Sequence, residues 1–201
     1  MRATHLLPAD YTLRGTLNLS TPRAALWLNL AAIPLLFFFG WLFRRIIVGI
    51  VSPNPLPLGT FSFITSFSGW KLLYLLLAII IMLILHELIH GGFFWLFTHD
   101  RPRFALKAGY AFAAAPDWYL PRWQYVLVGL SPCVIISTAS ILLTLVVSTT
   151  VIPYLLLVAA FNAAGSLGDL IIVAWVIKQP GDILVKDEGD TFSTFSPLMD
   201  A

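Results

Sequence analysis

Two histidines and a glutamate fall within five consecutive positions, His86-Glu87-Leu88-Ile89-His90, inside the apolar stretch LILHELIHGGFF of residues 83–94. On an α-helix, positions i and i+4 lie about 40° apart on one face, so both imidazoles can reach a single metal ion. Glu87 projects in an adjacent direction, from which a carboxylate can take a proton from activated water without itself being a ligand. Zinc suits this HExxH layout because it accepts three protein ligands, keeps one position for water, and lowers that water's pKa to about 7. The setting sharpens the reading. Ionisable side chains inside an apolar span each cost some kcal/mol, and such residues are functional by default.

Two protein ligands leave a third to be found. Within the long apolar blocks the other acidic residue is Asp169, in FNAAGSLGDLII. At about 1.5 Å per residue, His86 and His90 lie roughly 16 and 10 Å from the end of their block, and Asp169 roughly 12 Å from the corresponding end of its own. The three are therefore expected at one level. Asp169 reads as a third ligand, with a structural or proton-carrying role as the alternative. Asn162 precedes it by seven positions, two helical turns on nearly the same face. Its amide could bind substrate backbone or a developing oxyanion, or make an ordinary interhelical hydrogen bond. Gly91, Gly92, Gly165 and Gly168 are expected at close helix packing around the site. His99 reads as a surface residue.

Elements that could hold such a cluster are visible in the composition. The chain has 201 residues, of which 59% are hydrophobic and only 11% charged, with a mean hydropathy of +0.87. Those values lie far from a soluble domain and predict an integral membrane protein. The expected fold class is all-α, a polytopic membrane protein with about four transmembrane helices. Its apolar blocks run from about Ala25 to Phe43 or Val51, Leu72 to Phe97, Trp123 to Val147 and Tyr154 to Ile177. Pro34 is expected to kink the first. The linker SPNPLPLGTFSFITSFSG separates the first two blocks, and STTVIP makes a tight turn between the last two. Between the second and third, RPRFALKAGYAFAAAPDWYLPR allows a small β-hairpin at the membrane surface; an ordered basic connector is the alternative.

Three regions are expected: a cytoplasmic N-terminal segment at 1–23, a four-helix membrane metallopeptidase domain at 24–178, and an acidic C-terminal tail at 179–201. The first segment lacks the layout of a cleavable signal, so the first span is expected to remain as an anchor. Arg2, Arg14, Arg23, Arg101, Arg103, Lys107, Arg122, Lys178 and Lys186 fall on one side of four spans, and Arg44, Arg45 and Lys71 on the other. That imbalance predicts both termini in the cytoplasm. Tryptophans 27, 41, 70, 95, 123 and 175 fit interfacial anchors. A net charge of +2, with scattered basic residues, speaks against a nucleic-acid partner. The single cysteine, Cys133, rules out an intramolecular disulfide framework.

HELIH on one helix, with an asparagine and an aspartate in NAAGSLGD on a later one, resembles the DUF3267 family of zincin-type peptidases. More distantly it resembles the site-2 proteases, intramembrane metalloproteases of the M50 type. The resemblance covers about residues 70–180. It implies that His86, His90 and Asp169 hold Zn2+, that Glu87 is the catalytic base and that Asn162 helps to position substrate. Site-2 proteases usually carry prolines between that asparagine and aspartate and a glycine after the aspartate. Here Gly165 and Gly168 precede Asp169 and Leu170 follows it.

The expected activity is hydrolysis of peptide bonds in or near the bilayer, on a membrane protein or peptide substrate. Two rivals come from other classes: a metal-binding membrane scaffold without turnover, and an ion or proton transporter. Glu87 discriminates against the scaffold, since a pure binding site has no evident need for a carboxylate beside its ligands. The absence of a sequence repeat and the confinement of charge to one cluster count against the transporter.

Overall fold

The computed structural model describes residues 2–51, 68–107 and 110–198. Most of the proline- and serine-rich linker and the two residues at the expected hairpin turn lie outside them. The elements run β1 (Tyr11–Asn18), α1 (Pro22–Val51), α2 (Gly69–Thr98), β2 (Arg103–Lys107), β3 (Tyr110–Ala114), β4 (Tyr119–Pro121), α3 (Arg122–Leu143), α4 (Ile152–Gly165), α5 (Leu167–Ile177), β5 (Leu184–Asp187) and β6 (Thr191–Pro197). Three of these helices are long and apolar enough to cross a membrane, or four spans result if α4 and α5 count as one broken span. Leu73, Leu77, Ile80, Ile84 and Leu88 of α2 are all exposed, as are Trp27, Phe37 and Trp41 of α1. Apolar side chains left outward in this number fit a hydrocarbon surround far better than water.

The all-α expectation needs correction, because strands occupy both termini and the loop between α2 and α3. The expected hairpin is present: β2 and β3 pair antiparallel from Arg103↔Ala114 to Lys107↔Tyr110. A second, four-stranded antiparallel sheet has the order β1-β6-β5-β4. It joins Tyr11 to Pro197 at one end of β1 and Asn18 to Thr191 at the other. Residues 184–197, within the segment expected as an acidic tail, therefore form two strands. Their alternation in TFSTFSP, with Phe192 and Thr194 buried, and the EGD turn before it are the local signals for a hairpin. Short β4 ends in Pro121, which lacks a donor and suits an edge position. Thr4 covers that edge through Thr4 N–H to Tyr119 O at 3.0 Å and Tyr119 N–H to Thr4 O at 2.8 Å.

The described chain divides into two compact units. One contains the sheets, the C-terminal part of α2, the N-terminal part of α3 and all of α5. Its core is Phe94, Leu120, Tyr125, Val128, Ile172, Val176, Ile183, Val185 and Phe192, so helix ends pack directly on the sheet. In the other unit Phe43 packs with Ala159, Ala160 and Ala163 of α4, and Phe39 lies against them. The small alanines let the helices approach closely enough for those rings to fill the gap.

The fourth block is broken, contrary to the expectation of one continuous helix. α4 ends at Gly165 and α5 begins at Leu167. Ser166 donates both its backbone N–H (2.9 Å) and its Oγ–H (2.8 Å) to Asn162 O. Gly165 and Gly168 flank the break, and a Cβ at either would meet nothing within 4 Å among the described atoms. Their role is thus low helix propensity at a break, where close packing had been expected. Asp169 consequently sits in the first turn of α5. There the helix dipole favours a charged carboxylate.

Candidate metal centre

His86 and His90 lie one turn apart on the unbroken α2, and both are buried. His90 Nδ1 is 2.9 Å from Val128 O. A carbonyl can only accept, so Nδ1 carries a proton, and in the neutral ring the lone pair is on Nε2. That Nε2 lies 3.5 Å from Asp169 Oδ1.

His86 is oriented by a different device with the same result. Its Nδ1 lies 3.0 Å from Asn162 Oδ1. Asn162 Nδ2 faces Cys133 O at 3.4 Å and Ser137 Oγ at 3.3 Å. The Cys133 carbonyl requires a donor there, which fixes the amide orientation and leaves Oδ1 to accept from His86 Nδ1–H. As neutral imidazoles, both histidines therefore present unprotonated Nε2 atoms. This is the tautomer that metal-binding imidazoles take when a carbonyl holds the other nitrogen.

Ligand atoms of His86, His90 and Asp169 all lie within 4.8 Å of one another. Two ligands each about 2.0–2.1 Å from a tetrahedral zinc are separated by roughly 3.3 Å, so the His90–Asp169 spacing already matches. Two imidazole nitrogens and one carboxylate oxygen are also a donor set that zinc takes with a position to spare. The residues present fit the ion. Glu87 follows His86 directly, and its Oε2 is shielded from solvent. His99 is exposed, adopts a left-handed φ of 54° where α2 ends, and rests edge-on against Trp95, away from the cluster.

The model of a family described as "Putative zincin peptidase" (DUF3267) matches residues 79–184, just over half of the chain. The chain belongs to that family. No curated protein and no solved structure matches it. In this zincin-family chain the matched segment runs from the middle of α2 to the start of β5 and contains the two histidines, Glu87, Asn162 and Asp169.

Neighbouring residues that the sequence reading did not single out complete the site. A Cβ on Gly129 would come within 2.5 Å of Val173 Cγ2, so α5 packs closely against α3 at this glycine. Val173 is one turn beyond Asp169 on the same face of α5. Gly91, next to His90, does have a close neighbour, but that neighbour is the Phe104 ring of the β2 strand, which leaves no room for a side chain there. Beyond the ligands, Tyr125 donates to Asp187 Oδ2 at 2.9 Å, and the Gly189 N–H donates to Asp187 Oδ1 at 2.7 Å. Gly189 has a φ of 98° and lies directly under the Phe112 ring of the hairpin. A glycine after an acidic residue in a short polar turn was the available signal for this contact.

Proposed function

We propose that this chain is a membrane-embedded zinc metallopeptidase that hydrolyses peptide bonds in or near the bilayer. The observation that carries the reading is the pair of histidines whose Nδ1 atoms are both held by carbonyl oxygens, with Asp169 at ligand distance from His90. Family membership and the outward apolar surfaces of α1 and α2 support it independently.

His86, His90 and Asp169 hold the ion. When bound, zinc supplies Lewis acidity toward the scissile carbonyl and toward water. Glu87 is the general base: its carboxylate takes one proton from the attacking water as the oxygen bonds to the carbonyl carbon. The same proton then passes to the amide nitrogen as the C–N bond breaks, giving an amine and a carboxylic acid, and the acid's proton, the second one of the water, ends on the amine to leave an ammonium and a carboxylate. Asn162 acts as a positioning residue, because its amide is committed to His86, Ser137 and Cys133. Water must reach the site, since it is the second substrate of the hydrolysis.

The substrate class is a membrane protein or peptide. Both termini are assigned to the cytoplasm, because Arg23, Arg101, Arg122 and Lys178 all mark helix ends at the side carrying the sheet. The test compares purified wild type with Glu87→Gln for zinc per chain and for cleavage of a transmembrane peptide library. Equal zinc with cleavage lost in the variant is expected. Zinc bound by both with cleavage by neither would instead favour a metal-holding scaffold.

A further inference from the structure

We propose that Pro132 is a positioning residue for the metal centre: lacking an N–H, it leaves the Val128 carbonyl of α3 available to hold the His90 ring. The proposal rests on the reading of His90 as a metal ligand. In a regular α-helix the carbonyl of residue 128 accepts the N–H of residue 132. Proline cannot donate, and its ring presses against that same carbonyl. Helix α3 nevertheless continues from Arg122 to Leu143 with Pro132 inside it.

The released acceptor is used in full. Val128 O takes His90 Nδ1–H at 2.9 Å and Ser131 Oγ–H at 2.9 Å. A carbonyl oxygen has two lone pairs, so these two donors account for both. Pro132 is fully buried, which places it inside the protein and away from any lipid-facing flank. A proline within a helix is destabilising on its own. Here the unsatisfied carbonyl it creates is the group that selects the His90 tautomer and aims Nε2 at Asp169. Helix α3 supplies none of the three ligands, yet it decides how one of them is presented. Such outer partners commonly change metal affinity 10–100-fold.

Pro132→Ala and Pro132→Val restore an N–H that competes for the Val128 carbonyl. In the full-length protein, chelator competition is expected to show zinc bound about 10–100-fold more weakly by both variants, with thermal stability equal to or above wild type. Nitrogen-15 spectra of the histidine rings in metal-free protein should change from a single Nδ1–H tautomer of His90 to a mixture. Ser131→Ala removes the other donor but keeps the proline, and should retain wild-type affinity. Pro132 variants with unchanged zinc affinity and an unchanged His90 tautomer would overturn the proposal. So would joint loss of zinc and thermal stability with the tautomer intact, since the proline would then be merely structural. A wild type that binds no zinc, with the tautomer still shifting in both variants, would refute the metalloenzyme reading while supporting this role for Pro132.

Discussion

His90 Nε2 and Asp169 Oδ1 lie 3.5 Å apart although their residues belong to different helices, α2 and α5. Three local features produce that distance. The Val128 carbonyl turns the imidazole, the break at Ser166 places Asp169 in the first turn of α5, and Gly129 lets Val173 seat close to α3. Each feature can be removed by a single substitution, and each removal has its own signature.

Asp169→Asn keeps the shape of the side chain but removes its negative charge. Zinc affinity should fall by more than about tenfold, while folding is little changed, because an amide oxygen is a far poorer zinc ligand than a carboxylate. Titration with zinc against a competing chelator measures this. Wild-type affinity in the variant would remove Asp169 from the ligand set.

Asn162→Ala takes away the acceptor for His86 Nδ1–H and both donors toward Ser137 and Cys133. Leaving buried polar groups without partners costs about 1–3 kcal/mol, and the loosened imidazole should bind zinc roughly 10–100-fold more weakly. Asn162→Asp keeps an acceptor and should retain more affinity than the alanine variant. If Asn162 instead served only substrate, both variants would hold zinc like wild type and lose only turnover.

Gly129→Ala puts a methyl 2.5 Å from Val173 Cγ2, a branched group with little freedom to move. Overpacking of this kind costs about 1–3 kcal/mol. The strain should also push Asp169 away from His90 and weaken zinc binding. Adding Val173→Ala to the same chain should recover most of both losses. Thermal denaturation and zinc titration of the single and double variants decide the matter, and a double variant no better than the single one counts against the contact.

Burial pushes the Asp187 carboxyl up to about 7, and its bonds from Gly189 and Tyr125 only partly offset that. A carboxyl raised above its unfolded value near 3.9 keeps its proton longer in the folded chain than in the unfolded one. Stability from this group is therefore complete below about pH 4 and is lost as pH rises toward 7. Asp187→Asn should flatten that decline while keeping an acceptor for the Tyr125 hydroxyl. Melting of metal-free wild type and variant between pH 4 and 8 tests it, and parallel curves would contradict the assignment.

The histidine pair was readable from HELIH alone, because helix geometry is local and four positions return a side chain to the same face. The apolar blocks were readable for a similar reason: crossing hydrocarbon demands a run of about 20 apolar residues, whatever the fold around them. Level-counting along two such blocks put Asp169 near the histidines, and its Oδ1 lies 3.5 Å from His90 Nε2, although the count took the fourth block as one continuous helix. The close-packing role expected of Gly165 and Gly168 failed, since the same residue type serves both contact and helix interruption, and only the neighbours distinguish the two. Gly129 was passed over because nothing in VGLSP announces which helix will lie against it.

Pairing of β1 with β6 joins residues near the two ends of the described chain, and no short-range pattern encodes that partnership. The same holds for the acceptors behind the histidines. Composition and periodicity pointed to a His-Glu-His cluster inside an apolar, largely helical chain. Folding alone settled that Val128 and Asn162 hold its two imidazoles, because a hydrogen bond between distant segments depends on where whole helices come to rest and on the identity of every side chain between them.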